Sequence, residues 1–220
     1  MRVQTGEKLL ALLIKSPKKA CDGDQPNALT MASLLKNVDN AAWTLGTPRQ
    51  GKFVTTFPLR LGGGFPALQL VSSDCRDITT PFPPSVFQGD GDEPRQGLTL
   101  NIPEEVFTAF ATVEDAVRDL LRPSYPNVNQ IWHSALRPAG SYAAQLKVKV
   151  NLSGGREVQV FNEADQSIDV PTNWKGLQVV PIVTLAAFVQ AKTAGLIVDL
   201  AALKIVGQQQ SQQPAWSFLP

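Results

Sequence analysis

Cationic residues next to aromatic residues are the part of this sequence whose residue types and spacing could do chemistry. Lys52 and Phe53 are neighbours, and so are Trp174 and Lys175, each pair at the start of a predicted strand. A cation can contact a phosphate while a nearby ring stacks on a base, and proteins that hold single-stranded nucleic acid use both contacts. The two pairs therefore indicate a nucleic-acid-binding surface.

More cations and rings with the same potential occur along the predicted strands. Lys147 and Lys149 alternate with apolar residues, which predicts that both ammonium groups leave the same face of a strand. Two alternatives stay open, because this alternation also describes an ordinary solvated strand face, and rings such as Phe53 and Phe161 can belong to the core. The predicted nucleic-acid-binding residues are Lys52, Phe53, Arg60, Tyr142, Lys147, Lys149, Arg156, Phe161, Trp174, Lys175 and Lys192.

The sequence lacks the residue combinations that catalysis or a metal site requires. It has one histidine, His133, and two cysteines, Cys21 and Cys75, which lack zinc-ligand spacing. Neither a G-x-S-x-G nucleophile motif nor a phosphate-binding G-x-x-x-x-G-K-[ST] motif is present. The segment "GDGDEP" (89–94) lacks the spacing and the terminal Glu of a calcium loop. We therefore expect no enzyme activity, no cofactor and no metal, with two free thiols in a reducing compartment.

Charge and hydropathy argue against a membrane span and against a strongly basic protein. The formal net charge is +1, but residues 1–60 hold nine Lys or Arg against four Asp or Glu, so a local basic surface stays open. The most apolar segment, residues 173–206, is interrupted by Pro181, Lys192 and Asp199 among others. It has no stretch near 18 residues without a charge or a helix breaker. We expect a soluble chain, and the N-terminus shows no evident targeting signal.

Periodicity and turn residues predict a chain made mostly of strands with one long helix. Residues 103–122 repeat apolar side chains at helical spacing, beginning with Pro103. In the apolar segment two glycines separate two strands, and Pro181 predicts an edge position or a bulge in the first, although a helix at 184–191 stays open. The other predicted elements are a strand at 51–61, a glycine turn at 62–64, a strand at 65–74, a strand at 98–102 and a hairpin at 141–161.

This order of elements predicts a mostly β protein: an OB-fold-like antiparallel barrel with one main α-helix at about 103–122. A closed or partly open barrel protects the edges that a flat sheet would expose. The predicted organisation has an N-terminal arm or helical extension (1–50), the barrel domain (51–206) and a flexible C-terminal tail (207–220). The tail is uncharged and rich in Gln, and its Trp216 and Phe218 are predicted to dock a partner protein.

Four segments of the barrel domain resemble the OB-fold single-stranded DNA-binding proteins of large DNA viruses and phages. They are "GKFV…L", "PEEVFTAFATVEDAVRDLL", "AQLKVKV…REVQVFNEADQSIDV" and "WKGLQVVPIVTLAAFVQAKTAGLIVDLAALKIV". In the last, a glycine-led strand passes through an aromatic-bearing connector into a second glycine-led strand. The residues in those places are Lys175, Gly176, Val179, Phe188, Gly195, Leu200, Leu203 and Val206. The resemblance implies an OB-fold and single-stranded DNA as the partner.

Two hypotheses follow for the function. The first is a non-catalytic viral single-stranded DNA-binding protein for replication, recombination or repair, acting inside the host nucleus or cytoplasm through phosphate contacts and base stacking. The second is a structural or interaction protein with an OB-like barrel, such as a minor virion or capsid-associated component. The low net charge, the uncharged tail and Ala194, where the family commonly has an aromatic residue, favour the second. In either case the tail would contact replication or virion proteins, and a homo-oligomer stays open.

Overall fold

The computed structural model describes residues 33–35, 38, 42–71, 77–86, 94–155 and 157–207. Most of the predicted N-terminal arm and the tail after Gly207 lie outside the described residues. Within the described ranges, no helix is both long enough and apolar enough to cross a membrane. The predictions that fall outside them concern Cys21, Cys75, Arg156, Trp216 and Phe218.

Thirteen strands and two helices occur in the described part of the chain. The strands are β1 (Ser33–Leu34), β2 (Trp43–Leu45), β3 (Arg49–Gln50), β4 (Thr55–Leu61), β5 (Leu68–Gln69), β6 (Arg95–Asn101), β7 (Trp132–His133), β8 (Leu136–Arg137), β9 (Gln145–Asn151), β10 (Gln159–Phe161), β11 (Ser167–Ile168), β12 (Gln178–Gln190) and β13 (Thr193–Val206). The helices are α1 (Glu104–Leu121) and α2 (Val128–Ile131).

The long strands form one curled sheet. Its order is β4–β12–β13–β9–β6, and three of these four pairings are antiparallel. The exception is the pairing of β13 with β9, which is parallel. Strand β13 also runs parallel to the short strands β7 and β10. Strands β2 and β3 pair with β4, so the sheet begins N-terminal to residue 51. The predicted fold class, a mostly β, OB-like barrel with one main helix, is confirmed.

Helix α1 contributes its apolar stripe to the core that the inward-facing strand residues form. Phe110, Val113 and Val117 repeat at helical spacing and are fully buried, in one cluster with Leu98 of β6 and Leu146 of β9. The acidic residues of the first turn suit the positive end of the helix dipole. The predicted helix is confirmed, although its proline stands one residue before the helix, as the N-cap.

The glycine turn at 62–64 does not pair the strand before it, β4, with the strand after it, β5. Strand β5 pairs with β12, on the same edge as β4, so the chain leaves this edge at Leu61 and returns to it at Leu68. Gly62 and Gly63 have φ values of 58° and 87°, a left-handed conformation that glycine adopts without a steric penalty. The glycines therefore turn the chain away from the edge of β12, and the chain then returns to the same edge. This is possible because β12 is long enough to pair with both β4 and β5.

The predicted hairpin at 141–161 is also wrong in its pairing, because its two strands pair with a third strand and not with each other. Strands β9 and β10 both lie along β13 and run parallel to it, so they do not form an antiparallel pair with each other. The chain leaves this line after Asn151, turns at Gly154 with φ of 90°, and rejoins it at Gln159. Here too the length of the partner strand decides the pairing, which the turn residues alone do not show.

The two predicted strands of the apolar segment are confirmed as a long antiparallel hairpin. Strand β12 pairs with β13 from Gln178 opposite Val206 to Gln190 opposite Thr193. The register shifts between Ile182 and Val183, one residue after Pro181, which agrees with the predicted bulge. Residues 184–190 belong to the strand, and the alternative of a helix there is wrong.

Gly195 is a position where the sheet has no room for a side chain. A Cβ atom there would lie 2.6 Å from the backbone oxygen of His133 and 3.1 Å from Cε1 of Phe188. We predict that Gly195→Ala lowers the free energy of unfolding by about 1–3 kcal/mol, since strands or rings must shift to admit the methyl group. Urea denaturation measures this change.

Gly140→Ala is the matched control, because no heavy atom lies within 4 Å of its Cβ position. This control should stay within about 0.5 kcal/mol of the parent protein. Equal stability of the two variants would contradict the close packing at Gly195.

Candidate nucleic-acid interface

The solvent face of the curled sheet forms a groove of about 920 Å³ that crosses all five long strands. Side chains alternate between the two faces of a strand, so every second residue points into this space. We call it the sheet groove. Its outward residues on the five strands are Thr56 on β4, Phe188 and Gln190 on β12, Ile197 on β13, Lys147 and Lys149 on β9, and Arg95, Gly97 and Thr99 on β6.

A smaller cavity of about 310 Å³ continues the sheet groove toward the edge of β4. We call it the edge pocket. The two spaces share Thr56, Arg95 and Ile197, so they form one continuous path across the sheet. The other lining residues of the edge pocket are Arg49, Pro58, Phe65, Ala186 and Asp199.

Cations dominate the charge of this path. Among the described residues that line it, four are Lys or Arg and one is acidic, Asp199. Lys147 and Lys149 are exposed and stand opposite Thr99 and Gly97 of β6. The ammonium of Lys149 lies 4.0 Å from where a Cβ of Gly97 would be, so this cation stands over the neighbouring strand β6.

Two rings face the path at different points. Phe188 is half-buried and lies across from Gly195, the residue without a side chain, so its ring packs over the neighbouring strand and keeps one part open to the sheet groove. Phe65 is exposed and lines the edge pocket, with the guanidinium of Arg60 at 4.9 Å from the ring centroid. Rings at both places could stack on bases.

The segment that follows the helices closes one end of the sheet groove, the end near the turn between β12 and β13. His133, Ser134 and Ala135 line the groove there. The buried carboxylate of Glu114, on α1, accepts hydrogen bonds from the hydroxyl of Ser134 at 2.6 Å and the backbone N–H of Ala135 at 2.8 Å. Glu114 thereby fixes this wall of the groove to the core helix.

Two of the predicted rings lie in the core. Phe161 is 4% exposed and packs with Ile182 and Ala202, and Trp174 is 3% exposed. The hydroxyl of Thr80 donates a hydrogen bond to the backbone oxygen of Trp174, which holds that segment against the protein. Neither ring faces solvent, so neither is available for stacking in this conformation. We therefore leave both out of the interface that we propose below.

The other predicted residues that the structure describes are exposed, except for the half-buried Arg60, and they lie in several places on the surface. Lys52 and Phe53 contact each other, with the ammonium 5.1 Å from the ring centroid, and precede Val54 at the rim of the sheet groove. Arg60 lies on β4 beside the edge pocket. The structure brings Lys147, Lys149 and Arg60 to the same face of the sheet. Tyr142, Lys175 and Lys192 lie in connecting segments and do not line the path.

Sequence reasoning did not single out Arg49, Phe65 or Arg95. A signal for Arg95 exists, because the polar alternation of β6 runs through Gly97 and Thr99 and begins three residues before the predicted strand. Arg49 and Phe65 offer no such signal, since they reach the path only through the pairing of β3 with β4 and the glycine excursion after β4.

Comparisons with known proteins found similarity to solved structures only. No protein-family model matches the chain, and no curated protein matches it. Among solved structures, the bacteriophage T7 single-stranded DNA-binding protein gp2.5 has a TM-score of 0.45 and 13% identity, over 58% of this chain and 82% of that one.

Two structures of the single-stranded DNA-binding protein of bacteriophage Enc34 are also similar. The C-terminal truncation has a TM-score of 0.42 and 12% identity, over 74% of this chain and 94% of that one. The complex with single-stranded DNA has a TM-score of 0.42 and 10% identity, with the same coverage.

The role of Glu114 can be tested without touching the groove. We predict that Glu114→Gln lowers the free energy of unfolding by about 1 kcal/mol, because hydrogen bonds to a carboxylate are stronger than those to a neutral amide, which has only one oxygen to accept them. Thermal or urea denaturation measures this. The control is Asp119→Asn on the exposed face of α1, where Asp119 forms only an ion pair with Arg122, and there the loss should be within about 0.5 kcal/mol. Identical losses would contradict an anchoring role for Glu114.

Proposed function

We propose that this protein binds single-stranded DNA along the path formed by the sheet groove and the edge pocket. The observation that carries the proposal is the shared face of the five long strands, where four lining cations and two rings open to the same continuous space. Cations that track a backbone and rings that stack on bases are the two elements that single-strand binding needs.

The dimensions of the face suit a short stretch of one strand. Neighbouring strands lie about 4.8 Å apart, so five of them give a path of roughly 19 Å. A binding site of about four nucleotides or more is usual for one OB-fold. A double helix hides the flat faces of its bases, which Phe188 and Phe65 would need to reach, so the arrangement favours an unpaired strand.

The biological role that we propose is the coating of exposed strands during replication or recombination of a virus or phage, without catalysis and inside the host cell. Candidate protein partners would bind through Trp216 and Phe218 in the tail. The other hypothesis, a structural or virion-associated protein with the same barrel, predicts a path that has lost affinity for DNA, so one titration separates the two.

That titration follows the fluorescence polarisation of labelled oligo-dT at several salt concentrations. Three to four phosphate contacts predict a slope of log K against log salt of about −2 to −3, because each contact to a single strand contributes roughly −0.7. The absence of binding to oligo-dT at low salt would end the proposal and favour the structural hypothesis.

The two lysines of β9 give the first site-specific prediction. We expect Lys147→Gln with Lys149→Gln to weaken binding about tenfold or more at low salt and to make the salt slope shallower by about 1.4, because two phosphate contacts are lost. Both residues are exposed on the strand, so the fold should be unaffected.

Lys175→Gln is the charge-matched control for the two single variants, Lys147→Gln and Lys149→Gln, since Lys175 is exposed in a turn away from the path. It should leave both the affinity and the slope nearly unchanged. An equal effect of the Lys175 variant and of each β9 lysine would mean that overall charge, and not the sheet groove, governs binding.

The ring of Phe188 gives a second prediction of a different kind. Phe188→Leu keeps an apolar contact over Gly195 but removes the stacking surface, so we expect a loss of about 1 kcal/mol, or fivefold in Kd, with no change in the salt slope. The same polarisation titration measures it. Phe82→Leu is the control, because Phe82 is exposed and does not line the path. A changed slope with unchanged affinity at low salt would argue against stacking.

A further inference from the structure

One acidic side chain faces the otherwise cationic path. Asp199 lines the edge pocket, and its Oδ1 accepts a hydrogen bond from a guanidinium NH₂ of Arg95 at 2.5 Å. Arg95 lines both the edge pocket and the sheet groove, so this ion pair stands where the two spaces meet. A DNA strand that follows the whole path must pass it.

The position of the pair makes it accessible to a ligand. The side chain of Arg95 is 46% exposed and that of Asp199 is 37% exposed. Ion pairs with this exposure contribute little to folding, because water solvates both charges and the side chains lose freedom when they pair. The fold therefore does not need the pair, and another anion can replace the carboxylate at Arg95.

The pair also affects the nearest lysine. Asp199 is the register partner of Lys149 in the parallel pairing of β13 with β9. A carboxylate at this point reduces the attraction of both Arg95 and Lys149 for a phosphate, and it repels a phosphate oxygen that approaches Arg95.

We infer that Asp199 is a built-in competitor of the DNA backbone: it occupies Arg95 in the free protein and must be displaced when a phosphate binds there. This inference rests on the proposed function. The carboxylate weakens the phosphate contacts at the junction while leaving the rings untouched, so binding stays reversible and depends more on stacking.

The test is a gain of function. Asp199→Asn keeps the size of the side chain and removes its charge, and oligo-dT should bind about two- to fivefold tighter at low salt, the factor that corresponds to a charge interaction of surface strength. The salt slope should become steeper by up to about 0.7, since Arg95 becomes fully available. Asp199→Ser removes the same charge and serves as a second variant if the asparagine reduces the melting temperature.

Asp165→Asn is the matched control. Asp165 is also exposed and also forms an ion pair, with Lys204 at 2.7 Å, but it does not line the path. Its φ of 59° is a conformation that asparagine tolerates. Both variants change the net charge by the same amount, so a gain that is equal in the two would be a general charge effect and would overturn the inference.

A second experiment makes the Asp199 substitution in an Arg95→Gln protein. It separates competition for Arg95 from general repulsion between the carboxylate and the DNA. In an Arg95→Gln protein the carboxylate has no guanidinium to occupy, so Asp199→Asn should give a clearly smaller gain, the part that acts through Lys149. A full gain in that background, or weaker binding by the Asp199 variants, would overturn the inference. If the parent protein and every variant fail to bind oligo-dT, the proposed function itself fails; if the parent binds and Asp199→Asn is unchanged, only the inference fails.

Discussion

Every other part of the sheet depends on the pairing of β12 with β13. These strands of 13 and 14 residues are joined by a two-residue turn and lie at the centre of the sheet. Most of their side chains are buried, and burying one large aliphatic side chain stabilises a fold by roughly 1.5–3 kcal/mol. Strands β4 and β5 pair with the free edge of β12, and β7, β9 and β10 pair with that of β13.

The length of the hairpin explains the shape of the neighbouring chain. A partner strand of ordinary length covers only part of β12 or β13, so two strands pair with the edge of β12 and three with that of β13. A glycine-containing excursion joins β4 to β5, and another joins β9 to β10. The first excursion carries Phe65 back over the outer face, beside Arg60 and the edge pocket. The segment that returns the chain from β4 to the edge of β12 thus also supplies a ring to the proposed interface.

Close packing and ligand access meet at the same point of the sheet. Gly195 has Phe188 on one neighbouring strand and His133 on the other, and the absent side chain lets both approach. One part of the Phe188 ring therefore packs against Gly195, and another part is open to the sheet groove. A stacking surface requires this arrangement. From the core helix α1, Glu114 holds the segment that ends the groove. Rigid support from the core is what allows an exposed face to keep a defined shape.

The sequence by itself determined the class of the fold, the main helix and the long hairpin. Local signals suffice for these: the helical repeat of apolar residues in α1, the run of β-branched residues in β12 and β13, and the bulge at Pro181. The alternation in β9 likewise placed Lys147 and Lys149 on one face. Each of these features is a property of consecutive residues, so no knowledge of distant partners is needed.

Only the tertiary structure decided which side chains share the path. Phe161 and Trp174 look like candidates for stacking in sequence, but the contacts of distant strands and of Thr80 bury them. Arg95 and Asp199 are 104 residues apart and meet because β6, β9 and β13 are neighbours in the sheet. The physical reason is that strand pairing joins segments that are far apart in the chain, and which face of each strand meets the core is fixed only when those partners are in place.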